Sequence, residues 1–510
     1  MKLFLLAISV LAVSCSQAPS TKVGKTVKLT ILHTNDHHGR FWSNRDGEYG
    51  LAARATLIKQ LKEEVQKSGG EVLLLDAGDV NTGVPQSDLL DAEPDFRGMA
   101  AIGYDVMAVG NHEFDKPLAT IQKQQKDWAK FPFISANIYQ KNGKRVFPSH
   151  VNIKVKGLDV VIFGLTTEDT PKKSKPENSK GLVFKPAVKE AVSLVPTLRP
   201  EADLLIALTH TGHYPDAKHG ADAPGDVSIA RAVDGIDLIV GGHTQKPLFK
   251  PDIVNDTIIV QAYEWGKYVG KIDLEIKNRK VKLVNYELIP VNLKDSKVRI
   301  TPDQDILNLL KPYKEKGDNS LLVQIGTADQ EFIGKRDVIR SQETNLGNLV
   351  TRSMKEKFNA DLAVMNSGGI RDSIYPGKIT IETVLMVLPF AGEVVTSEMT
   401  GKELKEYLEY VVKNQTAGSG SFPQIAGVNL LFDKNSGTLT SLKINGTEVS
   451  ENKKYLMALP EFIANGGDKY PAVKFRKYGY VDADVLKEYI LKKKTLKASD
   501  YAPTGYITIK

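Results

Sequence analysis

Five apolar runs along this chain each have the length of a β-strand, and each ends on polar residues that can bind a metal. They are rich in Val, Ile and Leu, as strands buried on both faces require. The runs are TILHTNDHHG (30–39), VLLLDAGD (72–79), VMAVGNHE (106–113), LLIALTHTGH (204–213) and LIVGGHTQ (238–245). Gly, Asn, Asp or Thr closes each run, and such residues turn the chain. The pattern predicts five buried strands that carry functional groups at their ends.

Helical periods alternate with these strands. Residues 50–67 repeat apolar side chains at the spacing of one helix face, and DVSIARAV (226–233) predicts a second helix between two of the runs. Further strands are expected at 258–262, 268–276 and 281–289, paired antiparallel.

A helix is expected over 302–316, opened by Thr301-Pro302 and ended by Gly317. We therefore predict an α/β domain over 28–300, an inter-domain helix within 301–321 and a second α/β domain over 322–510. The second domain repeats none of the five metal-binding strand ends.

Polar side chains that close the five runs are expected to meet, because ligands of open α/β sheets bind at the carboxyl ends of strands. The candidates are Asp36, His38, Asp79, Asn111, His112, His210, His243 and Gln245. One His after one strand is more often a hydrogen-bonded polar residue than a ligand. Five such strand ends in one domain point instead to a metal site.

The ligand types indicate the chemistry. Carboxylate, imidazole and amide groups without a thiolate suit Zn, Mn, Co or Fe(II), whereas structural zinc sites close with Cys and His. Two ions about 3.5–4 Å apart that share a carboxylate form a clamp for in-line displacement at phosphorus. Asp36 and Asp79 are the carboxylates of the set. A site with two divalent ions therefore keeps a net positive charge, which attracts phosphate. The residues predict hydrolysis of a phosphoester or phosphoanhydride.

Five blocks resemble those of the calcineurin-like metallophosphoesterases: DHH within TNDHHG, GD (78–79), GNHEFD (110–115), THTGH (209–213) and GGHTQ (241–245). From about residue 28 onward, the chain is similar to the two-domain 5'-nucleotidase family, specifically its bacterial periplasmic bifunctional UDP-sugar hydrolases/5'-nucleotidases. Supporting strings are HGADAPGDVSIAR (219–231), EWGKYVGK (264–271), NSGGIRDSI (366–374), LPFAGEVV (388–395) and FIANGGD (462–468). The resemblance implies a four-layer α/β/β/α metallophosphatase sandwich, a linker helix and a C-terminal α/β nucleotide-binding domain.

The family pattern implies two divalent ions, Zn, Mn or Co, and a role for each candidate. It places on one ion Asp36, His38, Asp79 and Gln245, with Asp79 bridging to a second ion that is completed by Asn111, His210 and His243. His112 and Asp115 match the catalytic pair, in which Asp115 orients the imidazole and protonated His112 stabilises the transferring phosphoryl oxygens. His37 and His213 are expected beside the ligands rather than on a metal. His33 is expected to be a hydrogen-bonded core residue.

The second domain is expected to bind the rest of the substrate. Arg336, Arg340 and Arg371 can hold phosphates without losing their charge. Phe390 and Phe462 match the family's phenylalanines that stack on the base, at roughly 1–3 kcal/mol per stacked base. Hydrogen bonds to ribose and base are expected from Asn366, Gly369 and Asp468. For isolated residues, core phenylalanines and surface arginines would be the simpler interpretation.

One position departs from the family pattern. Where the family has GGDG before an aromatic residue, this chain has Gly466-Gly467-Asp468-Lys469-Tyr470. If the replaced glycine has a positive φ, Lys469 costs about 1 kcal/mol there. The substitution also places a cation near the pocket, so Asp468 is the binding residue that depends most on local structure.

Composition and charge agree with a globular enzyme. At 510 residues, 41% apolar and 25% charged, the chain is long enough for two domains with full cores. The net charge of +7 is small for this length, and no basic run is interleaved with aromatic residues. Nucleic-acid binding is therefore not indicated. We expect nucleotides and nucleotide-sugars as substrates, and a monomer.

The first fifteen residues are similar to an export signal. A short basic region (1–2) and an apolar region (3–13) end at Ala12-Val13-Ser14-Cys15, too short to span a bilayer as a retained helix. Cys15, the single cysteine, resembles the acylated cysteine of a lipobox, although Ala12 replaces the usual Leu. Residues 16–27 are expected to form a polar tether. We expect a periplasmic or cell-surface lipoprotein anchored in the outer membrane. The alternative is an ordinary signal peptide cut near Ser14 or Ala18.

The resemblance implies removal of the 5'-phosphate of nucleoside monophosphates and cleavage of the pyrophosphate of UDP-sugars, by in-line attack of metal-bound water. The alternative is a 2',3'-cyclic-nucleotide 2'-phosphodiesterase/3'-nucleotidase, a sister group with the same metal blocks, although EWGKYVGK and HGADAPGD favour the first. A third hypothesis is a metal-free binding protein or sulfur-oxidation component on the same scaffold. It is disfavoured because every ligand position is present.

Overall fold

The structure is a computed structural model that describes residues 26–44, 46–174, 176–219, 222–390, 392–414, 417–478 and 480–509. The predicted signal segment and Cys15 lie outside the described residues. Within those ranges, no helix combines the length and apolar character needed to cross a membrane.

Two six-stranded sheets form the centre of the N-terminal half. The first has four parallel strands and an antiparallel pair, in the order Lys280–Pro290, Tyr268–Lys277, Val27–Thr34, Glu71–Asp76, Val106–Ala108 and Phe133–Ile134. The second has four parallel strands between two antiparallel edges, in the order Asp252–Val254, Thr257–Gln261, Leu238–Gly241, Leu204–His210, Leu158–Thr166 and His150–Val155. All five predicted strands are present, three in the first sheet and two in the second.

The sheets pack face to face, and helices cover their outer faces. Leu73 and Ile206 belong to the apolar layer between the sheets. On the first sheet lie the helices Leu51–Lys67, Glu93–Ile102 and Gln304–Leu321, and on the second lie Ala187–Leu198 and Asp226–Ala232. These are the four layers, α/β/β/α, that the resemblance implies.

One predicted pairing is wrong. The strand Thr257–Gln261 does not pair with Tyr268–Lys277; it runs parallel to Leu238–Gly241 in the second sheet. The chain crosses to the first sheet through 262–267, where Tyr263 has a φ of 99°. Apolar runs predict strands but not their partners, because both sheets present an apolar face to the same core.

The predicted inter-domain helix forms over Gln304–Leu321 and begins at the side-chain cap of Asp303. It continues past Gly317, where we predicted its end. A Cβ at Gly317 would approach Cγ of Gln86 to 2.5 Å, so this glycine permits close packing rather than ending the helix. Leu310 is buried in the core of the N-terminal half, and the helix therefore packs as part of that half.

The C-terminal half contains three small sheets and two apolar cores. Their strands are Gly377–Thr380, Gln324–Ala328 and Thr495–Leu496; Val394–Thr400, Lys454–Pro460, Leu362–Asn366 and Pro423–Ala426; and Thr447–Glu448, Thr438–Ile444, Val428–Asp433 and Ile507–Ile509. The longer helices are Asn345–Lys357, Gly401–Asn414 and Asp482–Lys493. The predicted strand at 361–369 is present, and it ends at Asn366 as expected.

Candidate active site

The ends of the five strands bring the seven predicted metal ligands to one edge of the sandwich, although the strands belong to two sheets. The backbone N–H of His243 donates to Oδ2 of Asp36 at 2.9 Å, across the two sheets. Nδ1 of His210 likewise donates to the carbonyl oxygen of Ala77 at 2.6 Å. These bonds fix the two sets of strand ends against each other.

The backbone is strained at this edge. Five of the seven candidates have a positive φ without being glycine: Asp36 (52°), His38 (52°), Asp79 (60°), His243 (84°) and Gln245 (51°). Each such conformation costs about 1–2 kcal/mol for a residue with a Cβ. Strain of this kind persists where the surrounding structure enforces it, and it clusters at functional sites. These conformations occur at the positions that carry candidate ligands, beyond the ends of the buried strands.

Asp79 lies between two groups of candidate ligands. One group is Asp79, His38 and His112, and the other is Asp79, His210 and His243; in each, the ligand atoms lie within 4.8 Å of one another. Oδ2 of Asp79 is 3.0 Å from Nε2 of His210 and 3.9 Å from Nε2 of His38. A carboxylate common to both groups is suited to bridge two ions.

The donor atoms fit divalent metal ions. Nδ1 of His38 donates to the carbonyl oxygen of Thr82 at 2.7 Å, and Nδ1 of His210 donates to that of Ala77. Each ring is thus held with Nε2 towards the other candidate ligands, where Nε2 of His38 lies 2.7 Å from the side-chain nitrogen of Gln245. Oδ1 of Asp36 is buried without a hydrogen-bond partner, and Nε2 of His210 faces the carboxylate of Asp79. Buried polar atoms of this kind are costly unless something binds them. The whole set offers oxygen and nitrogen donors only, as Zn, Mn or Co accept.

The charges of the site agree with this interpretation. Burial raises the pKa of Asp36 to about 6 and lowers that of His243 to about 3. Burial opposes protonation of His210, but the carboxylates of Asp79 and Asp36 outweigh it and raise its pKa to about 10. The carboxylates thus attract positive charge into a fully buried position, as a cation site requires.

His112 and Asp115 form a hydrogen-bonded pair at the edge of the ligand set. Nδ1 of His112 lies 2.6 Å from Oδ2 of Asp115. Burial lowers the pKa of His112, but Asp115 and Asp79 more than compensate, and the net shift is upward. A protonated imidazole is therefore favoured here. The backbone N–H of His112 also donates to Oδ1 of Asp79 at 2.8 Å, which ties the pair to the candidate bridging carboxylate.

Glu113, which the sequence analysis did not single out, organises two of the ligand loops. Its buried carboxylate accepts hydrogen bonds from the backbone N–H groups of Gly110 (2.7 Å), Asp79 (3.1 Å), Val80 (2.8 Å) and Asn81 (3.3 Å). The loop that carries Asp79 and the loop that carries Asn111 are joined through this one side chain. The sequence feature that could have identified Glu113 is its position inside the GNHEFD block, between the candidate residues His112 and Asp115.

A single cavity of about 820 Å³ joins this edge of the sandwich to the C-terminal half. Its walls include all eight predicted substrate-binding residues: Arg336, Arg340, Asn366, Gly369, Arg371, Phe390, Phe462 and Asp468. From the N-terminal half come Asp79, Asn111, His112, Asp115, His243 and Gln245. Asp36, His38 and His210 lie behind these residues and are almost fully buried.

Three arginines form one wall of the cavity. Burial and the neighbouring arginines lower the pKa of Arg371 to about 10 and that of Arg340 well below its usual range. Arg336 donates to the side chain of Gln245 and, at 3.3 Å, to the carbonyl oxygen of Thr244. An anion between guanidinium groups relieves their repulsion, so this wall favours phosphate.

Two aromatic rings line the cavity beside the arginines. Phe390 stacks on His112, with ring centroids 5.5 Å apart, and the guanidinium carbon of Arg371 lies 5.4 Å from the centre of the Phe390 ring. Phe462 is supported by Gly467, where a Cβ would meet the ring at 2.6 Å. Both phenylalanines thus have a face or edge at the cavity rather than lying wholly in the core.

The position that departs from the family pattern has the conformation that a glycine would favour. Lys469 has a φ of 62°, and Asp468 before it has a φ of 50°. Asp468 nevertheless points into the large cavity, where Nδ2 of Asn366 donates to its Oδ2 at 2.7 Å. Lys469 lines a separate small cleft.

Two histidines next to the candidate ligands, His37 and His213, pair with carboxylates. Nε2 of His37 lies 2.8 Å from Asp95, and Nδ1 accepts from Arg54 at 3.0 Å, so this ring supports the ligand loop from behind. His213 is 2.9 Å from Asp252. Both therefore have carboxylate partners beside the ligand positions.

The expectation for His33 was wrong in one respect. The ring is fully buried, as predicted, but neither ring nitrogen has a hydrogen-bond partner. It occupies the space above Gly270, where a Cβ would lie 2.1 Å from Nε2. Burial lowers the pKa of His33 to about 3, so the ring is a neutral packing group.

Comparisons with known proteins agree with this geometry. Residues 29–247 match the calcineurin-like phosphoesterase family, and residues 324–474 match the 5'-nucleotidase C-terminal domain. A 5'-nucleotidase of Vibrio vulnificus (strain CMCP6) is 45% identical over 544 residues, covering 99% of this chain and 98% of that protein. Protein UshA of Escherichia coli (strain K12) is 46% identical over 523 residues, covering 95% and 94%. The crystal structure of a 5'-nucleotidase precursor from Thermus thermophilus has a TM-score of 0.80 at 27% identity, covering 94% of this chain and 99% of that one.

Proposed function

The chain belongs to the 5'-nucleotidase family of metallophosphoesterases, and from this premise we propose that it removes the 5'-phosphate of nucleoside monophosphates and cleaves the pyrophosphate of UDP-sugars. The observation that carries the proposal is the single cavity that joins the candidate metal ligands to the arginine wall and the two phenylalanines. A phosphate at one end and a base at the other match these surfaces. The proposed substrates are accordingly nucleotides and nucleotide-sugars.

We propose two divalent ions, Zn, Mn or Co, with the ligands assigned in the sequence analysis. When bound, such ions polarise phosphoryl oxygens and lower the pKa of water. Asp79 is shared by one group that contains His38 and another that contains His210 and His243, which supports two adjacent ions bridged by Asp79. His112 also lies within ligand distance of Asp79 and His38, but its Nδ1 is paired with the Asp115 carboxylate, and its raised pKa favours a protonated ring, which cannot bind a metal. We therefore keep His112 as a catalytic group.

Different side chains of the protein bind the phosphate, stabilise the developing charge and hold the base. Arg336, Arg340 and Arg371 hold the phosphate by charge-assisted hydrogen bonds. Burial lowers the pKa of His112, but Asp115 and Asp79 raise it further, which favours a proton on the imidazole near the transferring phosphoryl group, where it stabilises developing negative charge. Phe390 and Phe462 hold the base by stacking, which fixes the substrate without selecting one base.

A substrate panel tests the proposal. Purified protein is stripped with a chelator and restored with Zn, Mn or Co. Phosphate release is measured from AMP and 3'-AMP, formation of UMP and glucose 1-phosphate from UDP-glucose, and formation of 3'-AMP from 2',3'-cyclic AMP. We expect metal-dependent hydrolysis of AMP and UDP-glucose. Faster turnover of 3'-AMP and the cyclic ester would favour the 2',3'-cyclic-nucleotide 2'-phosphodiesterase/3'-nucleotidase alternative. Nucleotide binding without turnover under all metals would favour the metal-free binding protein.

We also propose that the enzyme is exported, monomeric, and held at the outer membrane by acylation of Cys15. The basic and apolar composition of residues 1–13 and the small residues before Cys15 support this location. The anchor would be the protein's contact with the membrane.

A further inference from the structure

Lys173 reaches across the cleft between the two halves of the protein. It ends the short helix Thr170–Lys173 of the N-terminal half. Its Nζ lies 2.9 Å from Oδ1 of Asp222 in the same half and 3.5 Å from Oδ1 of Asp468 in the other half. All three side chains line the large cavity. None of the metal-binding blocks contains Lys173 or Asp222.

Contacts within the N-terminal half hold Lys173 in place through Asp222. Asp222 belongs to the HGADAPGD string, and its backbone carbonyl oxygen is 2.5 Å from Nδ1 of His219. A hydrogen bond from Tyr214 engages the Asp222 side chain as well. Burial opposes the charge of Lys173, but Asp468 and Asp222 together raise its pKa to about 12. A fully charged, anchored ammonium group is therefore presented to the opposite half.

The orientation of the Asp468 carboxylate depends on contacts with neighbouring side chains. Its backbone has the left-handed conformation (φ 50°), and its carboxylate is held by Asn366 through Oδ2 and by Lys173 through Oδ1. Each carboxylate oxygen can accept a second hydrogen bond, so the group remains able to accept from the sugar hydroxyls of a nucleoside. Without Lys173, one of its two oriented contacts is lost.

We propose that Lys173 is a positioning residue of the nucleotide site, which fixes the Asp468 carboxylate for the sugar hydroxyls when the two halves meet. The inference rests on the proposed function, because it assigns Lys173 to sugar recognition in that same cavity. It also gives the HGADAPGD string a role, since that string supplies the carboxylate that anchors the lysine.

The test compares AMP with phenyl phosphate, which carries the reacting phosphate but no sugar. For Lys173→Gln we expect KM for AMP to rise about five- to tenfold, as for the loss of one coupled, partly buried ion pair. The kinetics on phenyl phosphate and the metal content should stay at wild-type values. Lys173→Arg keeps the cation and should restore most of the AMP affinity.

A double-variant cycle separates positioning from a general loss of stability. Lys173→Gln added to Asp468→Asn should change KM for AMP little beyond Asp468→Asn alone, because both changes remove one interaction. Lys172→Gln, at the adjacent exposed lysine, is the matched control and should behave as wild type. The melting temperature of every variant is recorded alongside.

Three results would overturn the inference. Lys173→Gln could fail to raise KM for AMP: an unchanged KM would mean that Asp468 does not need the lysine, and a lower one that the lysine competes with the substrate for Asp468. It could raise KM for AMP and phenyl phosphate equally, which would place it at the phosphate. Finally, the two changes in the cycle could add independently. Absence of AMP hydrolysis by the wild-type protein would instead overturn the proposed function, and this inference with it.

Discussion

The imidazole of His112 and the phenyl ring of Phe390 stack across the boundary between the two halves, with centroids 5.5 Å apart and planes inclined by 18°. One ring belongs to the proposed catalytic pair, and the other to the proposed base-binding pair. Because each half contributes one ring, a relative rotation of the halves would separate the proposed catalytic imidazole from the proposed base-binding surface. Turnover and domain arrangement are therefore expected to be coupled.

Linking the halves covalently should block turnover. Gln86 of the N-terminal half hydrogen-bonds to Glu382 of the C-terminal half, so Gln86→Cys/Glu382→Cys in a Cys15→Ser background can be bridged by a short, reducible thiol reagent. We expect the linked protein to lose AMP turnover and to keep its metals, because all seven proposed ligands lie in the N-terminal half. Reduction should restore activity. Full turnover in the linked state would show that no domain motion is needed.

Much of the site could be predicted because its residues follow buried strands. Asp36, Asp79 and His210 each come directly after an apolar run, and parallel strands bring their carboxyl ends together. What the sequence could not give was the sheet to which each strand belongs. Thr257–Gln261 is a continuous buried run and Tyr268–Lys277 mixes buried and half-buried residues. Neither pattern identifies a partner strand, and the two lie in different sheets.

Other features depend on tertiary contacts that no local pattern records. Gly317 has the appearance of a helix end, but close contact with Gln86 explains it. Lys173 is an ordinary lysine in a four-residue helix, and its importance comes from a carboxylate in the other half. His33 lacks hydrogen-bond partners because the ring fills the space above Gly270, a contact between two strands far apart in the chain.

The roles of Asp79 and His112 can be separated by metal analysis. Asp79 is shared by both groups of candidate ligands, so Asp79→Ala should lower the content of both ions and abolish turnover. His112→Ala should keep both metals and lose most of kcat, since the imidazole acts on the transition state. Elemental analysis of the purified variants, with AMP kinetics, checks both expectations. Loss of a metal in His112→Ala, with two ions kept in Asp79→Ala, would reverse the assignment.

Glu113 should be needed for the shape of the site rather than for the reaction itself. Its carboxylate satisfies four backbone N–H groups, and leaving buried donors without partners costs about 1–3 kcal/mol each. Glu113→Ala should therefore destabilise the protein by at least about 3 kcal/mol and weaken metal binding. Chemical denaturation and metal titration measure the two effects. Glu398→Ala, at an exposed glutamate, is the control, and equal stability of the two variants would refute this role.

Cys15 should determine where the enzyme is found. Several acyl chains on one cysteine give stable attachment, whereas a single chain binds a membrane only marginally. We expect Cys15→Ser to release active enzyme into the soluble fraction with unchanged kcat. Fractionation of cells that express each form, with AMP hydrolysis as the assay, measures this. Wild-type enzyme that is already soluble after osmotic shock would identify residues 1–15 as part of an ordinary cleaved signal.

The two phenylalanines should differ in what their removal does, because only Phe390 also stacks on His112. Stacking on a base is worth roughly 1–3 kcal/mol, so either Phe390→Ala or Phe462→Ala should raise KM for AMP by at least about fivefold. On phenyl phosphate, which has no base, Phe462→Ala should behave as wild type.

Phe390→Ala, in contrast, should also lower kcat on phenyl phosphate, since one side of the catalytic imidazole loses its packing partner. The exchange Phe390→Tyr keeps an aromatic ring at this position and should retain kcat. Kinetics of the three variants on both substrates distinguish the roles. If Phe462→Ala and Phe390→Ala lower kcat on phenyl phosphate equally, the ring contact with His112 has no part in holding the imidazole. The equal decreases in kcat would then reflect a general change in the cavity.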